Sequence, residues 1–388
     1  MKTRTVSEFK ETKIGDVCPF AYGKGLPERE RNTGKIPVYG SNGLVGWHDT
    51  SFVNGPCIII GRKGSIGKIH YSENSCWPID TTFYILENEN FHLKFIFYLL
   101  KFLNLENMDS DTSVPGLNRT AAHDLEIKIP EKKEQIRIST ILENLDTRIS
   151  NLQNQNKVLE QIVQAIYKSW FVDFDGVTEF EDSELGQIPK GWKVQKLSEI
   201  TTVKGRIGWR GYTISDLTNS GPLVIGGKHI SNKNRFDFKN PIYISKEKFE
   251  ESPEIKVSQN DIIISKTGKV GPVAIVEHNI GDATINPNVS LIKEIKIFPY
   301  YLYQYLLTPH SQDFIKGAAS GSSVQPTINN TTLKKLEVLI PNNKMLKKFE
   351  KIVMMPKMKI VSNELHIENL TRVRDSLLPK LMSGQIRV

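Results

Sequence analysis

Two long stretches of the chain carry an apolar residue at every seventh position. In the first, Ile138, Leu145, Leu152, Leu159 and Ile166 form one row. Leu142, Ile149 and Val163 form a second row four residues on, with polar Asn156 completing it. That spacing puts one apolar stripe on an α-helix. Residues 134–171 contain no Gly or Pro, so one helix of about 55 Å is expected at 1.5 Å per residue. In the second stretch Phe349, Leu370 and Leu377 share one row, and Val353, Ile360 and Ile367 its neighbour. Pro356 lies inside that row; it removes a backbone donor and crowds the preceding turn, so a kink or a restart is expected there. Each stripe is too long for a small domain to cover. The two helices are therefore expected to pack antiparallel on each other as a coiled-coil spacer.

The segments before each helix are written in a different pattern, short β-branched runs such as "CIII", "DIIIS" and "LEIKI" with helical stretches near 91–104 and 299–316. They are also written twice. "CIIIGRKGSIGKI" (57–69) matches "DIIISKTGKVGPV" (261–273), "FYLLKFL" (97–103) answers "QYLLTPH" (304–310), and "TKIGDV" (12–17) answers "QKLSEI" (195–200). "SVPGLNRTAAHDLEIKIP" (113–130) answers "SVQPTINNTTLKKLEVLIP" (323–341). A duplicated domain explains this order better than a solenoid repeat. The expected fold is α+β: two similar mixed domains, 1–130 and 188–341, with spacer helices at 131–175 and 342–388 and a Gly- and Pro-containing linker at 176–187. Gly64 and Gly67 recur as Gly268 and Gly271, which fits a duplicated turn needing glycine for its backbone shape. Gly61 is answered by Ser265, so it reads as the dispensable member of its run.

Charge and composition narrow the picture modestly. Lys and Arg number 51 against 43 Asp and Glu, a formal +8 that favours a polyanionic partner. Cys18, Cys57 and Cys76 form no Cys-x-x-Cys pair, so neither a zinc ribbon nor a disulfide framework is expected, and a reduced compartment is the simplest setting. The first residues lack the apolar core of a signal peptide. The most apolar window, "FIFYLLKFL" (95–103), is far shorter than a membrane span. A soluble, cytoplasmic protein is expected.

Catalytic patterns fail one by one. The glycine run 61–67 is neither Gly-x-Gly-x-x-Gly nor a Walker loop. Asn286-Pro287-Asn288-Val289 lacks the second proline and the aromatic of an adenine methyltransferase tetrapeptide. Glu126-Ile127-Lys128 has the acid-and-lysine pairing of a restriction nuclease core, but its copy, Glu337-Val338-Leu339, lacks the lysine. An ordinary half-buried strand accounts for that alternation. The histidines show no metal-ligand spacing. No catalytic residue and no metal site are expected.

Domain, long helix, domain, long helix: this order resembles the specificity (S) subunit of Type I restriction–modification systems. "TGKIPVYGSNGLVGWHD" (33–49), "LEIKIPEKKEQIRISTIL" (125–142), "GQIPKGWKVQKLSEI" (186–200) and "LLPKLMSGQI" (377–386) are similar to phrases of that family. The second junction departs from it, with Met345-Leu346 where the first has Glu134-Gln135. The resemblance implies a non-catalytic chain in which each domain reads one half of a split target in double-stranded DNA. The helices would act as a ruler, with half-sites about a turn of DNA (~34–36 Å) apart. It implies two methyltransferase subunits as partners, restriction subunits joining outside them, and no membrane. S-adenosylmethionine, ATP and Mg²⁺ would belong to those partners, with no cofactor on this chain. Candidate DNA contacts in the first domain are Tyr39, Ser41, Asn42 and His48, with Arg62, Lys63 and Lys68. In the second they are Arg206, Trp209, Arg210, Lys228, His229, Ser231 and Asn232, with Lys266 and Lys269. The alternative is a DNA-binding regulator or adaptor that reads two half-sites without enzyme partners.

Overall fold

The computed structural model describes residues 9–108, 116–206, 211–231, 234–319 and 325–388. The chain forms two compact units, one made of residues 1–153 with 365–388, the other of residues 154–364.

In the first unit the run Cys57–Gly61 becomes a strand with all five residues buried. It lies inside a four-stranded antiparallel sheet, in the order Ala21–Tyr22, Thr82–Leu86, Cys57–Gly61, Ile69–Ser72. Successive side chains of a strand point to opposite faces. Ile58 and Ile60 accordingly join the core under the helix Leu93–Leu103, with Phe95, Ile96 and Leu99. Cys57 and Ile59 face the other way, onto Val53 and Cys76. A strand covered on both faces shows no polar alternation, which is why "CIII" reads as an unbroken apolar run. A smaller sheet orders Gly43–His48, Ile36–Gly40 and Trp77–Pro78, and Lys10–Lys13 pairs antiparallel with Glu126–Ile129.

The second unit repeats this plan. Its four-stranded sheet runs Thr202–Lys204, Val289–Lys293, Ile262–Ser265, Val273–Ile275. Ile262 and Ile264 enter one cluster with Tyr301 and Leu302, while Ile263 enters another with Ile225 and Ile285. The three-stranded sheet is Tyr243–Ile244, Leu217–Ile225, Ala283–Ile285, and Lys193–Lys196 pairs with Glu337–Ile340. The tight hairpin of the first unit, turning at Ser41–Asn42, is replaced here by an excursion through residues 226–242 between paired strands. Between the first long helix and this domain, the hairpin Phe180–Ser183/Gly186–Pro189 leads to Ile188 and Trp192, which pack in one cluster with Phe171 and Phe349.

The two spacer segments are the helices Lys132–Phe171 and Asn343–Met382, of 40 residues each. They pair antiparallel within each unit. In the first unit Ile138 and Leu142 share a cluster with Leu381 and Met382. In the second, Val163, Tyr167 and Phe171 share one with Leu346, Phe349 and Val353. Of the expected stripe, Ile138, Leu152, Val353 and Ile360 are buried, and Leu145, Leu159, Ile166, Ile367, Leu370 and Leu377 are half-buried. Among the described residues no helix is long and apolar enough to cross a membrane.

Pro356 does not end the helix. Asn343–Met382 runs through it without interruption. Proline already holds a helical φ and forfeits one hydrogen bond. Val353 and Ile360, on either side of it, are buried and hold this stretch of helix in place.

The polar break in the stripe has a partner. Asn363 Nδ2 donates to Asn156 Oδ1 at 2.8 Å, and both side chains are buried. One asparagine opposite another fixes which turn faces which, since a slip by one heptad strands both amides against apolar neighbours. We expect Asn363→Leu alone to cost about 1–3 kcal/mol, because it leaves the Asn156 amide buried and unpaired. Asn156→Leu with Asn363→Leu should recover most of that loss, as read from urea denaturation of the two single variants and the double.

Candidate nucleic-acid interface

The glycine loop after each central strand is repeated hydrogen bond for hydrogen bond. In the first unit Gly61 N donates to Lys68 O at 2.8 Å, Gly67 N to Gly61 O at 2.8 Å and Ile66 N to Gly64 O at 3.0 Å. In the second, Ser265 N donates to Pro272 O at 2.9 Å, Gly271 N to Ser265 O at 3.0 Å and Val270 N to Gly268 O at 3.1 Å. Each loop is also tied to the segment ahead of the last short strand. Leu117 N donates to Arg62 O and Ile328 N to Lys266 O. Gly64, Gly67, Gly268 and Gly271 all have positive φ, the region that side chains with a Cβ disfavour.

Gly61 is not dispensable. A Cβ there would lie 2.0 Å from Ser65 O and 3.1 Å from Ser41 O. The loop's own backbone at Ser65 comes closest, with Ser41 of the hairpin turn behind it, and only a glycine leaves room. In the second unit the excursion through residues 226–242 takes the place of that hairpin, and Ser265 fits.

Side chains converge on the first loop. Lys68 Nζ donates to Asn42 Oδ1 at 2.7 Å, and His70 Nε2 lies 3.2 Å from Ser41 O. Arg62 donates to Asp80 O at 3.1 Å and stacks 5.0 Å from the Tyr22 ring centre. Arg119 covers the same ring at 4.8 Å. Lys63 is exposed, and Tyr22 is 48% exposed. The result is a surface of cations interleaved with an aromatic ring, the combination that holds phosphates and stacks on bases. Tyr39 is half-buried and lines an open cleft of about 580 Å³ with Leu44, Trp47 and Tyr71. Burial pushes its hydroxyl pKa up.

In the second unit Lys266 occupies the position of Arg62. It is half-buried, burial lowers its pKa, and its ammonium meets no hydrogen-bond or ion-pair partner among the described residues. Lys228 and Lys269 are exposed, and Ser231 is half-buried. Trp209, Arg210 and Asn232 lie outside the described residues.

Three candidates are committed to the fold instead. His48 is buried, its Nδ1 accepting from Asn32 N at 3.0 Å. His229 is buried between Gly226 N and Asn240 O, and burial lowers its pKa. Arg206 is buried, donating to Ile285 O at 2.8 Å and Thr284 Oγ1 at 3.0 Å. Their polar groups satisfy backbone and side-chain atoms that would otherwise be orphaned. Conversely, Tyr22 and Arg119 escape a reading of the sequence. Arg119 sits in the duplicated phrase 113–130, and the pairing of that phrase with the glycine loop was the available signal.

Each unit carries one copy of a loop-bearing α+β domain packed on part of an antiparallel helix pair. The family model for the Type I restriction modification DNA specificity domain matches residues 6–161 and again 189–354, and the chain belongs to that family. It is 26% identical over 352 residues to the Type I restriction enzyme MjaIX specificity subunit of Methanocaldococcus jannaschii, covering 85% of this chain and 78% of the relative. With the HindI specificity subunit of Haemophilus influenzae it shares 25% identity over 376 residues, 80% of this chain and 81% of that one. The fold matches the crystal structure of the S subunit from M. genitalium with a TM-score of 0.67 at 17% identity, over 98% of both chains.

The glycines differ in what surrounds them, and this gives a graded expectation. At Gly67 a Cβ would sit 2.3 Å from backbone atoms of Leu105 and Glu106, whereas at Gly64 the nearest atom is Ser41 Oγ at 3.4 Å. Gly64→Ala should cost about 1–2 kcal/mol, the penalty of the left-handed conformation alone. Gly67→Ala should cost clearly more. Equal losses in chemical denaturation would contradict the close approach.

Proposed function

We propose that this chain is the non-catalytic specificity subunit of a DNA adenine methyltransferase or restriction complex, reading a bipartite target with a fixed gap. One half-site belongs to each unit. The observation that carries this reading is the duplicated loop. Its backbone hydrogen bonds recur in both units, yet its side chains differ: Arg62, Ser65 and Lys68 in one, Lys266, Lys269 and Pro272 in the other. A common scaffold with different surface chemistry is what reading two different half-sites requires, since cations position the backbone and polar side chains select bases.

The helix pair is the ruler in this account. This reading assigns the chain two methyltransferase subunits as partners, with restriction subunits outside them. S-adenosylmethionine, ATP and Mg²⁺ are assigned to those subunits and not to this chain. The motif Asn286-Pro287-Asn288-Val289 supports that division. Asn286 Oδ1 accepts from Asn288 N at 2.9 Å, and Asn288 O accepts from Lys266 N and Thr267 N, so this turn braces the loop.

Mapping methylated adenines across the genome with and without the gene tests the reading. Two short half-sites at one fixed separation should be methylated in its presence and lose methylation on deletion. Unchanged methylation after deletion, or methylation of DNA by the purified chain alone, would refute it.

A further inference from the structure

In the second unit the excursion through residues 226–242 carries candidate reading residues and is also tied to both long helices. Ser231 N donates to Arg235 O at 2.8 Å and Asn234 N to Ser231 O at 3.0 Å, which ties the three residues together. Asn234 is anchored from below: Tyr303 Oη donates to Asn234 O at 3.0 Å, and Val273 N to Asn234 Oδ1 at 3.1 Å. Asn234 takes a positive φ, which asparagine tolerates better than most residues. The Arg235 guanidinium forms ion pairs with Glu160 on the first long helix and with Glu364 on the second. All three side chains are only about one-third exposed, at 31%, 33% and 36%. Burial alone would weaken the guanidinium's charge, but Glu364 and Glu160 more than offset it, and the Arg235 pKa is raised.

The first unit has a node of opposite polarity. Asp146 on the first long helix accepts from Tyr98 Oη of the domain at 2.7 Å and from Arg374 Nη1 of the second long helix at 2.8 Å. In each unit one acidic or basic side chain thus links the domain to both helices.

We propose that Arg235 is a positioning residue for target reading: it locks the reading excursion to both helices and so fixes where the second half-site must fall. This rests on the bipartite reading proposed above. A guanidinium fork suits the task because it holds two carboxylates in fixed directions. Without it, Glu160 and Glu364 face each other unpaired, and the excursion loses its tie to the helix pair.

The test is selection from random-sequence duplex DNA by the complex captured through this chain, for the native protein, Arg235→Gln, Arg235→Lys and a control, Ile263→Val. Ile263 belongs to the cluster that Phe236 packs against, so shortening it should lower stability while leaving the charged groups of the node in place. Native protein should return two half-sites at one gap. Arg235→Gln should keep the bases of both half-sites but enrich sites with the gap changed by one base pair, on the order of tenfold. Arg235→Lys should fall between, and Ile263→Val should leave the gap distribution unchanged. If Arg235→Gln fails to fold, Glu364→Gln weakens the same node and must change the gap in the same way. A native gap distribution in the node variants overturns the proposal, as does altered base choice at the second half-site. No bipartite motif from native protein overturns the bipartite reading itself, and this proposal with it.

Discussion

The antiparallel seam between the two long helices is the constraint on which the rest depends. Neither helix could leave its apolar row in water, and neither domain is large enough to cover one. Pairing buries both rows, and the direction of pairing is then dictated by connectivity. In the first unit the start of one helix meets the end of the other; in the second unit the order reverses. The Asn156–Asn363 hydrogen bond adds what apolar packing lacks, a penalty for slipping by a heptad. Length measured along such a seam is reproducible only if slipping is costly. That is the physical content of calling it a ruler.

Onto this seam the chain hangs one domain plan twice. The shared part is backbone: a central strand buried on both faces, a loop closed by the same hydrogen bonds, and glycines at positive φ. The parts that differ are solvent-facing side chains and the strand connections at the front, a two-residue turn in one unit and an excursion in the other. This division lets recognition diverge at little cost to folding, because substitutions at exposed loop positions remove no core contact. Arg62 and Lys266 illustrate it: the same backbone position carries a guanidinium stacked on Tyr22 in one unit and, in the other, an ammonium with no partner among the described residues.

Much of this was legible in the residue order, for reasons that can be stated. Heptad spacing announces a helix pair because side chains seven apart return to one face. The runs "CIII" and "DIII" announce central strands because both faces are buried. Duplication revealed the loop better than its glycines did. Other features were illegible for equally physical reasons. Arg235 meets Glu160 and Glu364 from far along the chain, across 129 residues in the case of Glu364, which no local pattern records. His48, His229 and Arg206 are polar residues in loop-like phrases, yet each is buried by hydrogen bonds to distant backbone. Gly61 is required by an approach of Ser41 and Ser65 that its own copy does not share. Pro356 reads as a kink or a restart in the sequence because the burial of its neighbours is a tertiary fact.

The central claim is that the helix pair measures the gap, and changing its length is the most direct test. Deleting Thr147–Gln153 from one helix and Ile367–Val373 from the other removes a heptad from each. Both apolar rows stay in phase, and Asp146, Arg374, Asn156 and Asn363 are retained. Seven residues correspond to roughly 10 Å of helix, or about three base pairs of DNA. Methylated adenines mapped in cells carrying the shortened gene should show the same two half-sites with a gap about three base pairs shorter. The original gap, or different half-site sequences, would contradict the account.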